Sequence, residues 1–394
     1  MRIAIFTNTY WPTVNGVAIS VANLKRGLEA AGHEVWVFAP SPPGFDRAQD
    51  EPGVVRFPAV AAPVEADYPL AVPCSRAVVR TLRQLNFDLV HTEHPMWVGS
   101  WGAWYARCTR RPLVTTIHTQ YETYSRLIPL PNALVDAYLR AQVRAYCNSC
   151  DWVTTPAASA RDRLLARGVK APIEVVYNPT DLSECFRADG RALRRELGTS
   201  DGELLLGYVG RLAPEKGLPD LIKAAGLVLQ RLPQARLIVI GDGPSRPKIE
   251  AMARALPNGD RVRFLGRVPH DRVPEHQAAL DLFITGSQME VQPLSFAEAF
   301  ATGTPIVAYD VPGNNDMIED GVTGRLVPPQ EGANGLAAAA IELLTSPDTL
   351  ARLSANARTC SQRFDQPQVV QRMLEVYQWA IERANGRRRR SGPG

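Results

Sequence analysis

The chain has 394 residues, of which 45% are hydrophobic and 21% are charged. This length favours two or three domains, and the composition excludes a small disulfide scaffold, a collagen and a disordered chain. The net charge of +4 is too small to indicate nucleic acid binding. The sequence contains no run of about 18 apolar residues, so no membrane-spanning helix is predicted. Because the first residues match a strand and not a secretory signal, we expect a cytoplasmic protein.

Apolar runs and helical patterns alternate along the first part of the chain. The predicted strands are 3–6, 35–39, 88–91 and 113–117, and the first predicted helix is 17–31. These strands are continuous apolar runs without polar alternation, which is typical of parallel strands that are covered by helices on both faces. The pattern therefore predicts an α/β domain.

The alternation stops after residue 177 and starts again at residue 204. The polar, turn-rich residues 181–203 are predicted as a linker. The strands predicted for the second series are 204–210, 237–240, 262–265, 282–285, 305–309 and 324–327. A second α/β domain of similar size is therefore expected.

The expected domain boundaries follow from these two series. The first domain covers residues 1–180 and the second covers residues 204–365. The helical patterns near the end of the chain exceed the crossovers that the second sheet requires. The last of them, 366–385, is expected to return to the first domain, and residues 386–394, with four consecutive arginines, are predicted to be a disordered basic tail.

The turn after the first strand contains Gly16. Ligands of parallel sheets bind beyond the carboxyl ends of the strands, where a glycine lets the backbone approach a phosphate at a helix N-terminus. A tight turn without a ligand explains the glycine equally well. No G-x-G-x-x-G follows this strand, which argues against a nicotinamide-dependent dehydrogenase.

Two basic residues follow the first strand of the second series. Arg211 and Lys216 belong to one strand-to-helix loop, where a guanidinium and an ammonium group together suit a diphosphate. Only five of the 44 basic residues are lysines, which favours a function for Lys216. The alternative is a solvated surface pair.

Two carboxylates, Glu290 and Glu298, are separated by eight positions. Such positions differ by about 80° around a helix, so the two side chains do not share a helix face. Glu290 is expected in the loop after strand 282–285 and Glu298 in the first turn of the next helix. Ser295 and Glu298 also match a capping box, which would give Glu298 a structural role. Both interpretations remain open.

A histidine, His118, follows strand 113–117, where a structural role is the alternative to a functional one. His91, Glu93 and His94 follow the preceding strand, but they lack the spacing of metal ligands. No Asp-x-Asp sequence occurs. The sequence therefore predicts no metal site.

Five segments, taken in this order, resemble family 4 of the retaining glycosyltransferases. They are TNTYWPTVNGV at 7–17, the loop 210–217, GDGP at 241–244, the E-x7-E pair, and ATGTPIVA at 301–308. The resemblance spans nearly the whole chain. It implies the GT-B fold, in which two Rossmann-like α/β domains with parallel sheets face each other across an interdomain cleft.

The resemblance also implies an activity, namely metal-independent transfer of a hexose from a nucleotide sugar, without a cofactor. UDP-glucose is the expected donor, and GDP-mannose is the alternative. The expected acceptor is a lipid similar to diacylglycerol, or a saccharide. A non-hydrolysing nucleotide-sugar epimerase and a nucleotide-sugar binding module are the competing functions, and neither would need an acceptor.

The resemblance further implies roles for single residues. The implied catalytic residues are His118, Arg211, Lys216 and Glu290. The implied donor-binding residues are Gly16, Arg211, Lys216, Val268, Glu290, Leu294, Ser295 and Glu298. Arg211 and Lys216 would hold the diphosphate, and Glu290 the hydroxyls of the donor sugar. Glu298 would bind the ribose, and backbone groups at Val268 would bind the base.

The acceptor site is implied by the segment HTQYETY at 118–124, followed by LIPL. This segment resembles bacterial diacylglycerol glucosyltransferases and implies acceptor contacts for Tyr121 and Tyr124. A helical stripe over 134–145, accompanied by Arg140 and Arg144, matches a helix on a membrane surface, although core packing would explain the stripe as well. Peripheral contact with the inner face of an anionic membrane is therefore expected for a lipid acceptor.

Overall fold

The computed structural model describes residues 1–13, 15–42, 44–61, 69–72, 75–118, 131–200 and 202–390. The chain forms two compact units. Unit 1 consists of Met1–Pro179 and the chain from Gln366 onward, and unit 2 consists of Thr180–Asp365. In the described part of the chain, no helix is both long and apolar enough to cross a membrane.

Strands and helices alternate along the described residues. The strands are β1 (Arg2–Phe6), β2 (Glu34–Pro40), β3 (Val54–Phe57), β4 (Ala59–Ala61), β5 (Pro69–Ala71), β6 (Leu89–Thr92), β7 (Leu113–Thr116), β8 (Trp152–Thr155), β9 (Ile173–Val175), β10 (Leu204–Val209), β11 (Ala235–Ile240), β12 (Val262–Gly266), β13 (Leu282–Ile284), β14 (Ile306–Tyr309) and β15 (Gly324–Val327). The helices are α1 (Gly16–Ala30), α2 (Arg76–Gln84), α3 (Val98–Thr109), α4 (Asn132–Ser149), α5 (Ala158–Ala166), α6 (Ser183–Arg187), α7 (Arg191–Glu196), α8 (Leu218–Arg231), α9 (Arg246–Arg254), α10 (Val273–Ala278), α11 (Leu294–Ala301), α12 (Gly332–Leu344), α13 (Pro347–Ser361) and α14 (Gln366–Arg390).

Each unit is built on one parallel sheet. The strand order is β3-β2-β1-β6-β7-β8-β9 in unit 1 and β12-β11-β10-β13-β14-β15 in unit 2. The first strand of each unit has neighbours on both sides, so the chain fills one side of the sheet before it crosses to the other. Loops diverge at such a switch point, which lies between β1 and β6 in unit 1 and between β10 and β13 in unit 2. Both sheets confirm the predicted α/β class with two Rossmann-like units.

Strand β1 shows why a continuous apolar run forms a central strand. Ile3, Ala4, Ile5 and Phe6 are all fully buried. Ile3 and Ile5 pack in one hydrophobic cluster with residues of α1 and α14. Ala4 and Phe6 belong to a second cluster, which contains residues of α2 and α3. Helices thus cover both faces of the sheet, as the run predicts.

The last helix, α14, belongs to unit 1. Its residues Val370 and Tyr377 are buried in the cluster with β1. The helix continues to Arg390, so the prediction of a disordered tail from residue 386 is wrong for residues 386–390. Arginine is a good helix former, and Arg387 forms an ion pair with Asp151 of unit 1, which accounts for the longer helix.

The predicted linker 181–203 is also wrong, because this segment contributes α6 and α7 to unit 2. Each helix has one buried apolar side chain, Cys185 and Leu193 respectively. Arg194 donates hydrogen bonds to the carbonyl of Ala279 at 2.8 Å and to Asp281 at 2.6 Å. These polar and apolar contacts hold the segment 181–203 against the rest of unit 2, although its composition is typical of a linker.

Candidate active site

An ion pair lies at the switch point of unit 2. Lys216 Nζ, in the loop after β10, donates a hydrogen bond at 2.7 Å to Glu290 Oε1, in the loop after β13. Ser287 Oγ donates to the same oxygen at 2.8 Å. The side chain of Lys216 is 24% exposed and that of Glu290 is 11% exposed. Glu290 therefore holds an ammonium group at the carboxyl edge of the sheet, where it remains accessible from solvent.

The two loops touch through their backbones at Gly217. This residue has a φ of +59°, and a Cβ atom there would lie only 1.8 Å from the carbonyl oxygen of Gly286. A side chain would therefore force the loops apart. Asn314 joins the same region by donating hydrogen bonds to the carbonyls of Ser287 and Tyr309, each at 3.0 Å. These contacts between loops fix the position from which Lys216 extends.

Arg211 lies in the same loop as Lys216 but has a different partner. Its guanidinium donates to Glu215 Oε1 at 2.6 Å, and its side chain is 59% exposed. Tyr208 donates its hydroxyl to the carbonyl of Arg211 at 3.1 Å and so holds the backbone. The structure brings Lys216 and Glu290 together and leaves the side chain of Arg211 at the solvent-exposed part of the loop.

Val268 follows β12 at the carboxyl edge of the same sheet. Because β12 lies two strands from β10, the ends of these strands are separated by roughly 10 Å. The end of β11 lies between them, where Gly241 donates its N–H to the carbonyl of Gly266 at 2.8 Å. The predicted base, diphosphate and sugar positions therefore follow one another along this edge.

The helix α11 begins at Leu294, with Pro293 in the N-cap position and no capping side chain. The capping-box interpretation is therefore wrong, because Ser295 is already the second residue of the helix. Glu298 lies in the second turn, not in the first. The first N–H groups of a helix have no partner within it, so the amides at Leu294 and Ser295 suit an anion.

Glu298 is a partly buried carboxylate held by Gln277. The Nε2 atom of Gln277, which is fully buried on α10, donates to Glu298 Oε2 at 3.3 Å and to the carbonyl of Ser295 at 3.2 Å. Burial raises the pKa of Glu298 to about 7, and the hydrogen bond from Gln277 opposes that shift. The charge of Glu298 therefore changes near neutral pH.

A Glu298→Gln variant is expected to be more stable relative to the natural protein at pH 8 than at pH 5. The folded pKa of about 7 lies above the ordinary value of 4.5, so the folded state binds the proton more tightly. The contribution of Glu298 to the unfolding free energy is therefore most favourable below pH 4.5 and becomes less favourable between pH 4.5 and 7. Glutamine removes this titration, so the difference in unfolding free energy should grow by about 2 kcal/mol, as urea denaturation at both pH values can measure.

The control for this experiment is Glu196→Gln, since the Glu196 side chain is 60% exposed. Because this side chain is exposed, burial does not penalise its charge, and the change between the two pH values should be smaller than for Glu298→Gln. A difference for Glu298→Gln that does not change with pH would contradict the assignment of the raised pKa.

In unit 1, His118 follows β7, and Gly16 is the first residue of α1, after the loop that follows β1. His118 is buried, and its Nε2 atom lies 2.6 Å from Glu93 Oε2. Gly16 begins α1, which Asn15 caps by accepting from the N–H of Ala18 at 2.9 Å. A Cβ atom at Gly16 would meet nothing within 4 Å, so its backbone is open to approach.

The predicted acceptor residues Tyr121 and Tyr124 lie outside the described residues. Among the residues that the structure does describe, no group of three His, Cys, Asp or Glu side chains is arranged to hold a metal ion. Burial lowers the pKa of His94 to about 3, so this imidazole is neutral.

Sequence reasoning did not assign Ser287, Gln277 or a role for Glu93. Glu93 lies two residues after the predicted strand 88–91 and could have been assigned by the same rule as the other site residues. Ser287 also follows a strand, three residues before Glu290. No sequence pattern near Gln277 predicts its role, because its contact with Glu298 joins α10 to α11 across 21 residues.

Two family models match the chain. The model described as Glycosyltransferase Family 4 matches residues 14–184, and the model described as Glycosyl transferases group 1 matches residues 189–359. The alpha-monoglucosyldiacylglycerol synthase of Streptococcus pneumoniae is 32% identical over 354 residues, which cover 88% of this chain and 79% of that protein. A GDP-mannose-dependent alpha-mannosyltransferase of Mycobacterium tuberculosis is 30% identical over 334 residues, which cover 83% of this chain and 84% of that protein.

A solved structure gives the same fold. Sucrose-phosphate synthase from Thermosynechococcus elongatus has a TM-score of 0.77 at 24% identity, and the match covers 96% of this chain and 98% of that one. The sequence matches over both units and the two parallel sheets lead to one conclusion. The chain belongs to the group 1, family 4 glycosyltransferases and is a glycosyltransferase with the GT-B fold.

Proposed function

We propose that the protein transfers a hexose from a nucleotide sugar to a lipid acceptor, with retention of the anomeric configuration and without a metal ion. UDP-glucose is the proposed donor. The observation that carries the proposal is the pair of Lys216 and Glu290 at the switch point of unit 2, where an ammonium and a carboxylate lie 2.7 Å apart at the carboxyl edge of the sheet.

The pair supplies the two kinds of group that the reaction needs. As the sugar leaves, negative charge grows on the diphosphate, and Lys216 is placed to balance that charge. Glu290 accepts hydrogen bonds from sugar hydroxyls in addition to those from Lys216 and Ser287, because a carboxylate has about four acceptor positions. Arg211 and the first amides of α11 add further donors for phosphate oxygens.

A lipid acceptor is favoured by the exposed surface of α4. The buried residues of this helix are Val135, Leu139, Val143 and Cys147. The opposite stripe points to solvent, and its Leu134 and Tyr138 are 69% and 61% exposed. Core packing therefore does not explain the stripe, which suits an apolar surface such as a bilayer.

Helix α2 of the same unit carries a row of cations. Arg76, Arg80 and Arg83 lie at helical spacing and, with Trp101, line an open cavity of about 640 Å³. The neighbouring Trp104 is 52% exposed. Arginine beside tryptophan is a combination that suits the interface of an anionic membrane. We therefore include peripheral contact with an anionic membrane in the proposal.

GDP-mannose is the second candidate donor. It is favoured by the relative from Mycobacterium tuberculosis, whose name includes that donor, because its identity to this chain is nearly that of the glucosyldiacylglycerol synthase. The resemblance to family 4 implies that backbone groups near Val268 bind the base. Backbone groups are the same in every residue, so the side chain at this position does not show whether the base is uracil or guanine.

The function is tested with a panel of nucleotide sugars in EDTA, with diacylglycerol in vesicles of either phosphatidylglycerol or phosphatidylcholine. We expect UDP release from UDP-glucose only with the lipid acceptor, faster with phosphatidylglycerol, and a hexosyl lipid with the α anomeric proton in its NMR spectrum. Release of GDP from GDP-mannose would identify the second candidate. Turnover that is independent of lipid, a requirement for a divalent cation, or interconversion of donor sugars without transfer would each contradict the proposal.

A further inference from the structure

A buried group of polar side chains lies at the carboxyl ends of β6 and β7 in unit 1. Glu93 follows β6 directly and is 2% exposed, and His118 follows β7 and is 7% exposed. Their side chains meet at 2.6 Å, between Glu93 Oε2 and His118 Nε2. The inference drawn from this contact rests on the proposed function, in which His118 acts beside the reacting sugar.

Glu93 is held in place by the sheet. Its backbone N–H donates to the carbonyl of Phe6 on β1 at 2.9 Å, which extends the β1–β6 pairing. The chain before His118 is fixed in the same way, because the N–H of Ile117 donates to the carbonyl of Thr154 on β8 at 2.9 Å. Both side chains therefore project from rigid backbone, which suits a group that must orient another.

The other histidines nearby have their own partners. His91 lies between Tyr377, whose hydroxyl is 2.8 Å from Nδ1, and Thr116, whose hydroxyl is 2.7 Å from Nε2. The Nδ1 atom of His94 accepts the N–H of Asn8 at 3.3 Å. The only imidazole that makes a hydrogen bond to Glu93 in the described part of the chain is thus that of His118.

The contact determines which nitrogen of His118 carries the proton. Burial alone would raise the pKa of Glu93, but His91 and the hydrogen bond with His118 hold it below its usual value, so Glu93 is a carboxylate. A carboxylate only accepts hydrogen bonds, and the Nε2 atom of His118 must therefore carry the hydrogen. In a neutral imidazole this leaves Nδ1 with a lone pair.

That Nδ1 atom is buried and has no hydrogen-bond partner among the described residues. A buried acceptor without a partner is unfavourable, and a hydroxyl group that donates to it removes the penalty. A sugar hydroxyl can donate such a hydrogen bond. The unpartnered Nδ1 atom therefore points to a ligand at this position, in addition to the contact between Glu93 and His118.

We propose that Glu93 is a positioning residue, which holds His118 in the Nε2–H tautomer so that Nδ1 accepts a hydrogen bond from a sugar hydroxyl of the substrate. Without Glu93 the ring is free to exchange tautomers and to rotate. Glu93 itself does not touch the substrate in this arrangement and acts only through His118.

The test is a double-mutant cycle of Glu93→Gln and His118→Ala, with kcat, donor KM and UDP affinity measured for each variant. Glu93→Gln should lower kcat about 10- to 100-fold and leave UDP affinity within about twofold, because the nucleotide does not contact it. In the His118→Ala background, Glu93→Gln should have no further effect. Equal and additive effects in both backgrounds would overturn the inference and indicate a purely structural role.

The matched control is Tyr377→Phe, which removes a hydroxyl from the same buried group but leaves the contact between Glu93 and His118 intact. It should lower Tm without changing kcat. Full activity of His118→Ala would instead overturn the proposed role of His118, and with it this inference. Loss of activity in His118→Ala with a fully active Glu93→Gln would overturn the inference alone.

A direct measurement does not depend on whether Glu93→Gln folds. Two-dimensional NMR of ¹⁵N-histidine-labelled protein distinguishes the two tautomers of each ring, and His118→Gln identifies the signal among the six histidines. The natural protein should show His118 as the Nε2–H tautomer, and Glu93→Gln should show a mixture. An Nδ1–H tautomer in the natural protein would overturn the inference.

Discussion

Replacing Lys216 with methionine is expected to lower kcat by about 10²- to 10³-fold and to weaken UDP binding. Methionine keeps an unbranched side chain of similar length but removes the charge that balances the leaving diphosphate. The substitution also removes one of the two hydrogen bonds that Glu290 Oε1 accepts from the described residues and leaves the one from the hydroxyl of Ser287. Steady-state kinetics and calorimetric titration with UDP measure both effects.

The control for this variant is Lys223→Met, which removes an exposed lysine from α8 in the same unit. Its kinetics should match those of the natural protein. The double variant Lys216→Met with Glu290→Gln separates two explanations. UDP affinity is the readout, because Glu290 is assigned to the donor sugar and its loss lowers turnover by itself. If the only task of Lys216 were to neutralise Glu290, the double variant would bind UDP as tightly as the natural protein, which would contradict the assignment to the diphosphate.

A Gly217→Ala variant is expected to lose both stability and activity. The added Cβ atom would lie 1.8 Å from the carbonyl oxygen of Gly286, so the loops after β10 and β13 must separate. Separation moves Lys216 away from Glu290, and displacements of about 1 Å can reduce turnover about 10²-fold. We expect that loss of kcat, and an unfolding free energy lower by about 2–4 kcal/mol.

Gly198→Ala is the matched control for the backbone conformation. Gly198 has a φ of +66°, close to that of Gly217 at +59°, but a Cβ atom there would meet nothing within 4 Å. This variant should lose only the roughly 1 kcal/mol that a left-handed residue costs, and it should keep full activity. If the two variants behave alike in urea denaturation and in kinetics, the close approach of the loops has no importance for the site.

The sequence predicts β1, β2, β6 and β7 of the first sheet and all six strands of the second, because both sheets are parallel and covered by helices. It does not predict β3, β8 or β9, which are short and include polar or charged side chains. Runs such as Ile3–Phe6 are apolar at every position, and their short length favours a buried strand over a buried helix. Candidate ligand residues then follow from one geometric rule, that binding occurs after the strands. Lys216, Glu290 and His118 were found in this way.

Local sequence patterns do not predict the contacts among these residues. Lys216 and Glu290 are 74 residues apart, and their ion pair depends on β10 and β13 being neighbours in the sheet.

Two predictions about helix ends were wrong for local reasons. Pro293 takes the N-cap position that the spacing of Ser295 and Glu298 suggests for serine, and the arginines after residue 386 extend a helix despite their low-complexity sequence.

The position of α14 in unit 1 has a consequence for synthesis on the ribosome. Ile3 and Ile5 of β1 are made before unit 2, whereas Val370 and Tyr377, which pack in the same cluster, are made only after all of unit 2. Unit 2 is continuous, so its sheet can be completed while one face of the first sheet is covered by α1 and still lacks α14. The nascent chain therefore exposes the part of this apolar surface that α14 covers until α14 emerges, and the packing of unit 1 can be completed only after unit 2 has been synthesised.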